Sequence, residues 1–236
     1  VDAFTSAQSR NGDYRHFLVE VDGHLVLTPR AVEGAAAAAP LRVPYYGVVR
    51  AAGDRKAEAP TGCGDLFGLA ISGATTAKQT VTSVFELGVT YEPGTATIGT
   101  IIAVGASSDS GTVEAADDAS AYFAIALSKP WSTPAQGPLS LVGINVDVDG
   151  DEEPDFVTYV EPRRRTGPYG DTLVATTYLA SSGARAGQPQ AINALKRDEA
   201  DSAIFHNDVV VLPVTMLALG LDPGAAKIHY QAFTQS

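Results

Sequence analysis

Residues 144–160 read INVDVDGDEEPDFVTYV. On either side of the acidic middle, apolar and polar residues alternate, and period two is the signature of a half-buried strand. Between these flanks Asp147, Asp149, Asp151, Glu152, Glu153 and Asp155 crowd into nine positions, in a chain with only 18% charged residues. Side by side in a bare turn these carboxylates repel one another. The segment is therefore either a fully solvated hairpin loop or a loop that gathers around something positive.

The same alternation runs through the rest of the chain. Strands are expected at RHFLVEVD, HLVLTP, LRVPYYGVVR, DLFGLAIS, TVTSVFELGVTY, TIGTIIAVGA, SAYFAIALS, LSLVGINVDV, DFVTYVE, DTLVATTYLA, DVVVLPV and KIHYQAFTQ, nearly all separated by Gly, Pro, Asp or Ser clusters. Helical candidates are few. QPQAINALKRDEAD, residues 188–201, has room for a short helix, and PVTMLALGL for one turn ending at Gly220, a residue suited to a C-terminal cap. The expected fold is all-β, an antiparallel β-sandwich with very little helix, because strands of this polarity must hide one face against a second sheet.

AVEGAAAAAP, residues 31–40, is a small-residue connection, and AAGDRKAEAPTGCG, residues 51–64, is polar, rich in Gly and Pro, and reads as a linker. A division into residues 1–53 and 54–236 follows. The first part holds about three strands, too few to close a sandwich alone. It must pair with the larger part or with a companion segment.

Composition excludes several classes. The net charge of −11 argues against nucleic-acid binding, since phosphate contact needs a basic face and Arg163-Arg164-Arg165 is the only dense basic run, which reads as a solvated turn. No apolar run approaches the ~20 residues of a membrane-spanning helix. The N-terminal VDAFTSAQSRNG has neither the basic start nor the apolar core of a signal peptide, so the chain reads as a mature form or a fragment. One cysteine, Cys63, rules out an intramolecular disulfide framework, and the low Lys and Met content is compatible with a secreted bacterial protein.

A calcium loop needs oxygen ligands converging from one side of a tightly wound segment, which D-x-D-x-D spacing supplies. Asp147, Asp149 and Asp151 have that spacing; position seven is Glu153, offering its backbone carbonyl, and position nine is Asp155. An EF-hand would want flanking helices and an acid at position twelve, where this chain has Thr158. The short β-flanked calcium loops of integrin-type propellers are the nearer resemblance. Position six, where glycine permits the sharp turn, is Glu152. A register shifted by two, Asn145, Asp147, Asp149, Gly150 and Glu153, restores that glycine but pulls Asn145 out of its strand, so the first register is preferred.

LRVPYYGVVRAAGD, AYFAIALSKPWSTP, INVDVDGDEEPDFVTYV and IFHNDVVVLPVTMLALGL together resemble the non-catalytic C-terminal regions of large secreted subtilisin-like serine peptidases of actinobacteria and related bacteria. In that family the acidic loop reads Asp-x-Asp-Gly-Asp-Gly-x-x-Asp, so Glu152 is this chain's departure. The resemblance implies that residues 1–53 are closing strands of a fibronectin-III-like domain, that 54–236 form a C-terminal sandwich with a calcium loop, and that the chain is extracellular. It implies the upstream peptidase portion of the same precursor as partner, and a protein or polysaccharide as substrate of the whole.

The chain itself lacks a catalytic engine of that type. Gly-Thr-Ser-x-Ala, His-Gly-Thr and Asp-Thr-Gly segments, which supply nucleophile, base and orienting acid, do not occur. His16, His24, His206 and His229 show no zinc-helix spacing and read as structural or surface residues. Cys63 has no activating partner in sequence, and Asp117-Asp118 reads as a solvated turn ahead of a possible second cation site. A carbohydrate- or surface-binding module is the other class to weigh: it needs two or more exposed aromatics on one sheet face, for which Tyr45, Tyr46, Tyr122 and Tyr159 are candidates. Trp131, between prolines, either stacks a sugar or plugs an end of the sandwich.

Overall fold

A computed structural model of the chain describes residues 7–8, 14–15, 19–30, 33–34, 39–49, 56–58, 61–63, 66–73, 83–92, 94–95, 97, 99–113, 119–131, 141–162, 173–194, 207–222 and 227–235. The chain divides into two compact units, Val1–Ala7 with His16–Thr82, and Gln8–Arg15 with Ser83–Ser236. The linker-like stretch 51–64 lies inside the first unit, where Lys56–Ala57 pairs with Ile71–Ser72 and Thr61–Cys63 with Leu66–Gly68.

The first unit is organised by a long hairpin, Val19–Leu27 against Leu41–Val49, nine antiparallel pairs without a register shift. The sequence pattern predicts two strands, RHFLVEVD and HLVLTP, broken near Asp22-Gly23; the structure has one, Val19–Leu27. Gly23 stays in the ladder opposite Tyr45, and the Tyr45 ring lies over it, so a Cβ there would come within 2.8 Å of the phenol oxygen. Here glycine makes room for a cross-strand ring instead of turning the chain.

The second unit is an all-β sandwich of two antiparallel sheets. The strands of the sandwich are β1 (Glu86–Thr90), β2 (Ile101–Ser108), β3 (Ser120–Trp131), β4 (Leu141–Asp147), β5 (Phe156–Pro162), β6 (Leu173–Leu179), β7 (Arg185–Ala191), β8 (Asn207–Thr215) and β9 (His229–Gln235). One sheet runs in the order β8-β3-β2-β1, the other β7-β6-β5-β4-β9. Period two decides what each strand buries. From the first sheet Phe123, Ile125 and Leu127 of β3 and Val210, Leu212 and Val214 of β8 go inside; from the second come Val142, Ile144 and Val146 of β4 and Phe156 of β5. Thr158 and Thr177, also inward and buried, satisfy one another through a 2.9 Å hydroxyl–hydroxyl bond.

Specific contacts join the layers. The Phe123 and Tyr230 rings meet with centroids 5.3 Å apart at 57°. Buried Asn193, just past β7, donates its amide to Val211 O (2.9 Å) and accepts the Val211 amide on its Oδ1 (2.7 Å), so a single residue in the left-handed region (φ 59) continues the pairing of β8. Asp109 secures the β2–β3 turn, accepting Ser120 N at 2.6 Å and the Tyr122 hydroxyl at 2.8 Å.

Among the described residues the only helix is the 3-10 turn Met216–Leu219, closed at Gly220 (φ 64), which matches the expected cap. No helix there is long and apolar enough to cross a membrane. The helix anticipated from residue 188 is not formed at its start: Gln188–Ala191 completes β7, paired to β6 through Ala175–Gln190 and Val174–Ala191. Residues 195–201 of that stretch lie outside the described residues. RAGQPQA lacks β-branched residues and carries a proline, which an edge strand tolerates because one side of its backbone has no ladder to serve. Gly187 (φ 72) also lets β7 approach Ala218, where a Cβ would come within 2.7 Å of the alanine methyl.

The core makes a direct prediction. Ile144→Ala removes a fully buried side chain from the centre of β4 and is expected to cost about 2–5 kcal/mol in urea unfolding. Leu217→Ala, at a residue 60% exposed, is expected to stay within about 0.5 kcal/mol of the parent.

Candidate metal centre

The acidic segment is the connection between β4 and β5. Val146 pairs with Phe156, and Asp155 N donates to Val146 O at 3.0 Å, so residues 147–155 leave the sheet and return to it at one point. Ala180 N donates to Asp155 O at 2.8 Å and ties the returning arm to the turn after β6.

Within the loop the backbone amides turn toward the carboxylates. Asp147 Oδ1 accepts Gly150 N at 2.6 Å and its Oδ2 accepts Glu152 N at 3.1 Å. Asp149 Oδ1 accepts Asp151 N at 3.2 Å, Asp151 Oδ1 accepts Glu153 N at 2.8 Å, and Asp155 Oδ2 accepts Val148 N at 2.8 Å. These bonds wind the segment so that Asp147, Asp149 and Asp151 converge, with one oxygen of each within 4.8 Å of the other two. Asp147 is buried and the other two are exposed, which places the group at the rim of the sandwich.

The winding uses two residues in the left-handed region, Gly150 (φ 83) and Glu152 (φ 71). Glu152 occupies position six of the preferred register and adopts the backbone conformation that a glycine would supply there, against the steric cost of its Cβ. The alternative register required Asn145 to leave its strand, yet Asn145 pairs with Val157 on one side and Gln231 on the other.

Asp155 and Glu153 stand outside the converging trio. The Asp155 carboxylate braces the start of the loop through Val148, and Glu153 contributes its amide to Asp151 while its side chain is exposed. His229 is a neighbour that no local motif announces: β4–β9 pairing sets it opposite Asp147, with Nδ1 3.6 Å from Asp147 Oδ2. Asn145, Asp147, Glu152, Pro154, His229, Tyr230 and Gln231 line a shallow pocket beside the loop.

The chemistry of this donor set fits a hard cation. Carboxylate oxygens carry the charge and no thiolate takes part. The amides take up one oxygen each of Asp149 and Asp151 and one lone pair on both oxygens of Asp147, and the lone pairs that remain can face a common point.

Asp147 carries an electrostatic signature. The Gly150 amide holds its carboxyl below the ordinary value of 3.8; burial opposes this, and the Glu152 amide and the His229 charge add to the lowering. A depressed carboxyl stabilises the fold above its unfolded value, and that contribution is lost as pH falls through the lower folded value.

The other candidates are dispersed or outside the described residues. His24 is exposed on the N-terminal hairpin, whereas His16, His206, Asp117, Asp118 and Arg163–Arg165 lie outside the described residues. So do the side chains of Cys63 and Trp131, whose backbones end the strands Thr61–Cys63 and β3. Of the four tyrosines weighed as a sugar platform, Tyr122 is buried against Asp109, and adjacent Tyr45 and Tyr46 point to opposite faces of their hairpin. Tyr159 is half-buried and stacks on Tyr178 at 5.1 Å and 11°, on the outward side of the β5–β6 ladder. Tyr178 in turn donates to Glu161 at 3.1 Å; burial pushes its hydroxyl pKa up, and the Tyr159 hydroxyl and the Glu161 carboxylate add to the rise. These four rings do not form one exposed aromatic face.

Comparison with known proteins finds no family model that matches the chain, and no curated protein or solved structure that matches it. The class is therefore defined by the fold and the site alone: an antiparallel β-sandwich with a three-aspartate loop able to receive a metal ion.

Two outcomes are expected at this loop. Asp147→Asn melts below the parent at pH 6, because one of two opposed amide donors then faces an amide instead of an oxygen, and the difference narrows as both are titrated from pH 5 to pH 2. Glu152→Gly, which relieves a left-handed residue, raises stability by up to about 1 kcal/mol in the metal-free protein. Calorimetric melting across pH checks both.

Proposed function

We propose that this chain is a calcium-stabilised, non-catalytic accessory region of a secreted subtilisin-like serine peptidase, supporting the stability or substrate placement of the enzyme. The observation that carries the calcium reading is the convergence of Asp147, Asp149 and Asp151 oxygens within 4.8 Å of one another. Calcium–oxygen distances are about 2.3–2.6 Å, so ligands on opposite sides of one ion stand about 4.6–5.2 Å apart, and three oxygens inside that span can share it. Calcium accepts irregular, partly hydrated oxygen cages, which suits a rim site open to solvent. Asp155 takes part by holding Val148 and the loop entrance, and Glu153, at position seven of the register, would offer its backbone carbonyl.

The peptidase reading is supported by the resemblance of the four quoted stretches. Its partner is the upstream peptidase portion of the precursor. An extracellular setting suits the chemistry, since extracellular modules bind calcium at about 10⁻⁴–10⁻³ M and meet millimolar concentrations there.

The reading is tested by titrating calcium into chelator-treated protein in a calorimeter and by melting with and without the ion. Saturating millimolar calcium is expected to add roughly 1 kcal/mol or more through linkage. Asp149→Asn, which touches only the loop, is expected to weaken the binding heat and the melting shift together. No heat and no shift in the parent would leave a solvated acidic hairpin. The absence of the three catalytic segments carries a second expectation: the purified chain cleaves neither casein nor chromogenic peptides, and activity titratable by a serine-directed covalent inhibitor would contradict it.

A further inference from the structure

We infer that the N-terminal hairpin docks face to face on the same hairpin of a second copy of this chain. Its register sets Val21 opposite Gly47, Gly23 opposite Tyr45, Leu25 opposite Val43 and Leu27 opposite Leu41. Alternation puts these residues on one face, which is apolar apart from the Tyr45 hydroxyl, while Asp22, His24 and Arg42 occupy the other. The apolar face is bare: Leu41 is 60% exposed, Leu25 56%, Tyr45 52%, Leu27 50%, Val43 41% and Val21 37%. A two-stranded sheet with one apolar face needs a cover to be stable.

The size and chemistry of the face select the cover. With ordinary side-chain areas those fractions amount to about 500 Å², at the upper end of what monomers leave contiguous and exposed. Two such faces together bury about 1,000 Å², the lower bound for a specific interface. A partner presenting the usual ~800 Å² per side would overhang the patch, whereas a second copy matches it in extent. With no charged side chain among these residues, neither an acidic nor a basic partner is favoured, and two chains of net charge −11 meet there without placing like charges in contact. A two-fold axis through the face makes each hairpin the cover of the other, giving a four-stranded, two-layer contact from one self-complementary patch. The inference uses no residue of the acidic loop and does not rest on the calcium reading.

Size-exclusion chromatography with light scattering of the full chain, from roughly 1 to 200 µM, tests it. The expected mass approaches twice that of one chain at the upper end and falls to one chain on dilution. Leu25→Lys and Val43→Lys should each hold the mass at one chain throughout. Val26→Lys, an equally solvent-exposed apolar position on the opposite face, should behave as the parent, and a parent-like circular dichroism spectrum with a cooperative melting transition shows that each variant is folded. Single-chain mass for the parent at every concentration, an assembly that survives Leu25→Lys, or a second polypeptide retained in fixed stoichiometry overturns the inference.

Discussion

Val146 is wholly buried, and the residue after it is the first carboxylate of the acidic loop. That junction is the constraint on which the second unit depends. β4 is an interior strand, paired through Val146 to both β5 and β9, and its three inward residues Val142, Ile144 and Val146 are all fully enclosed. A slip of one residue would turn all three outward and drive Gly143, Asn145 and Asp147 into the core, so the register is held by the hydrophobic effect over the whole strand. The place where Asp147 leaves the sheet is therefore set by packing, and the same pairing brings His229 beside it.

Given that anchor, the loop solves its charge problem with backbone. Five amides, those of Val148, Gly150, Asp151, Glu152 and Glu153, donate to four of the carboxylates it encloses. Such bonds orient the carboxylates before any ion arrives, which lowers the entropy that binding must overcome. The cost is a non-glycine residue, Glu152, held in the left-handed region. In the proposed function, the cation is what offsets both that strain and the mutual repulsion of the trio.

The two units treat their apolar faces differently. In the second, inward-facing residues of two sheets cover one another, and the polar groups drawn inside, Thr158, Thr177 and Asn193, each find a partner. In the first, a regular nine-pair hairpin presents leucine, valine and tyrosine side chains to solvent. Regular local pairing does not bury a face; only a second layer does.

The all-β class, most strand positions, the closing turn at Gly220 and the acidic loop between two strands were legible because they depend on period two, on glycine and on local spacing. Three features were not. The continuity of Val19–Leu27 through Gly23 depends on a Tyr45 ring from the partner strand, and β7 exists because β6 offers it an edge, although RAGQPQA has no strand propensity of its own. The tyrosines looked alike in sequence, yet Tyr122 is buried on Asp109 while Tyr159 stacks outward on Tyr178. By itself the sequence determined which residues alternate and where carboxylates cluster, since both are short-range properties of the chain. Only the tertiary structure decided that Asp155 braces the loop entrance instead of joining the trio, because the β4–β5 pairing fixes where the loop closes, and that His229 stands next to Asp147, because β4–β9 pairing joins segments remote in sequence.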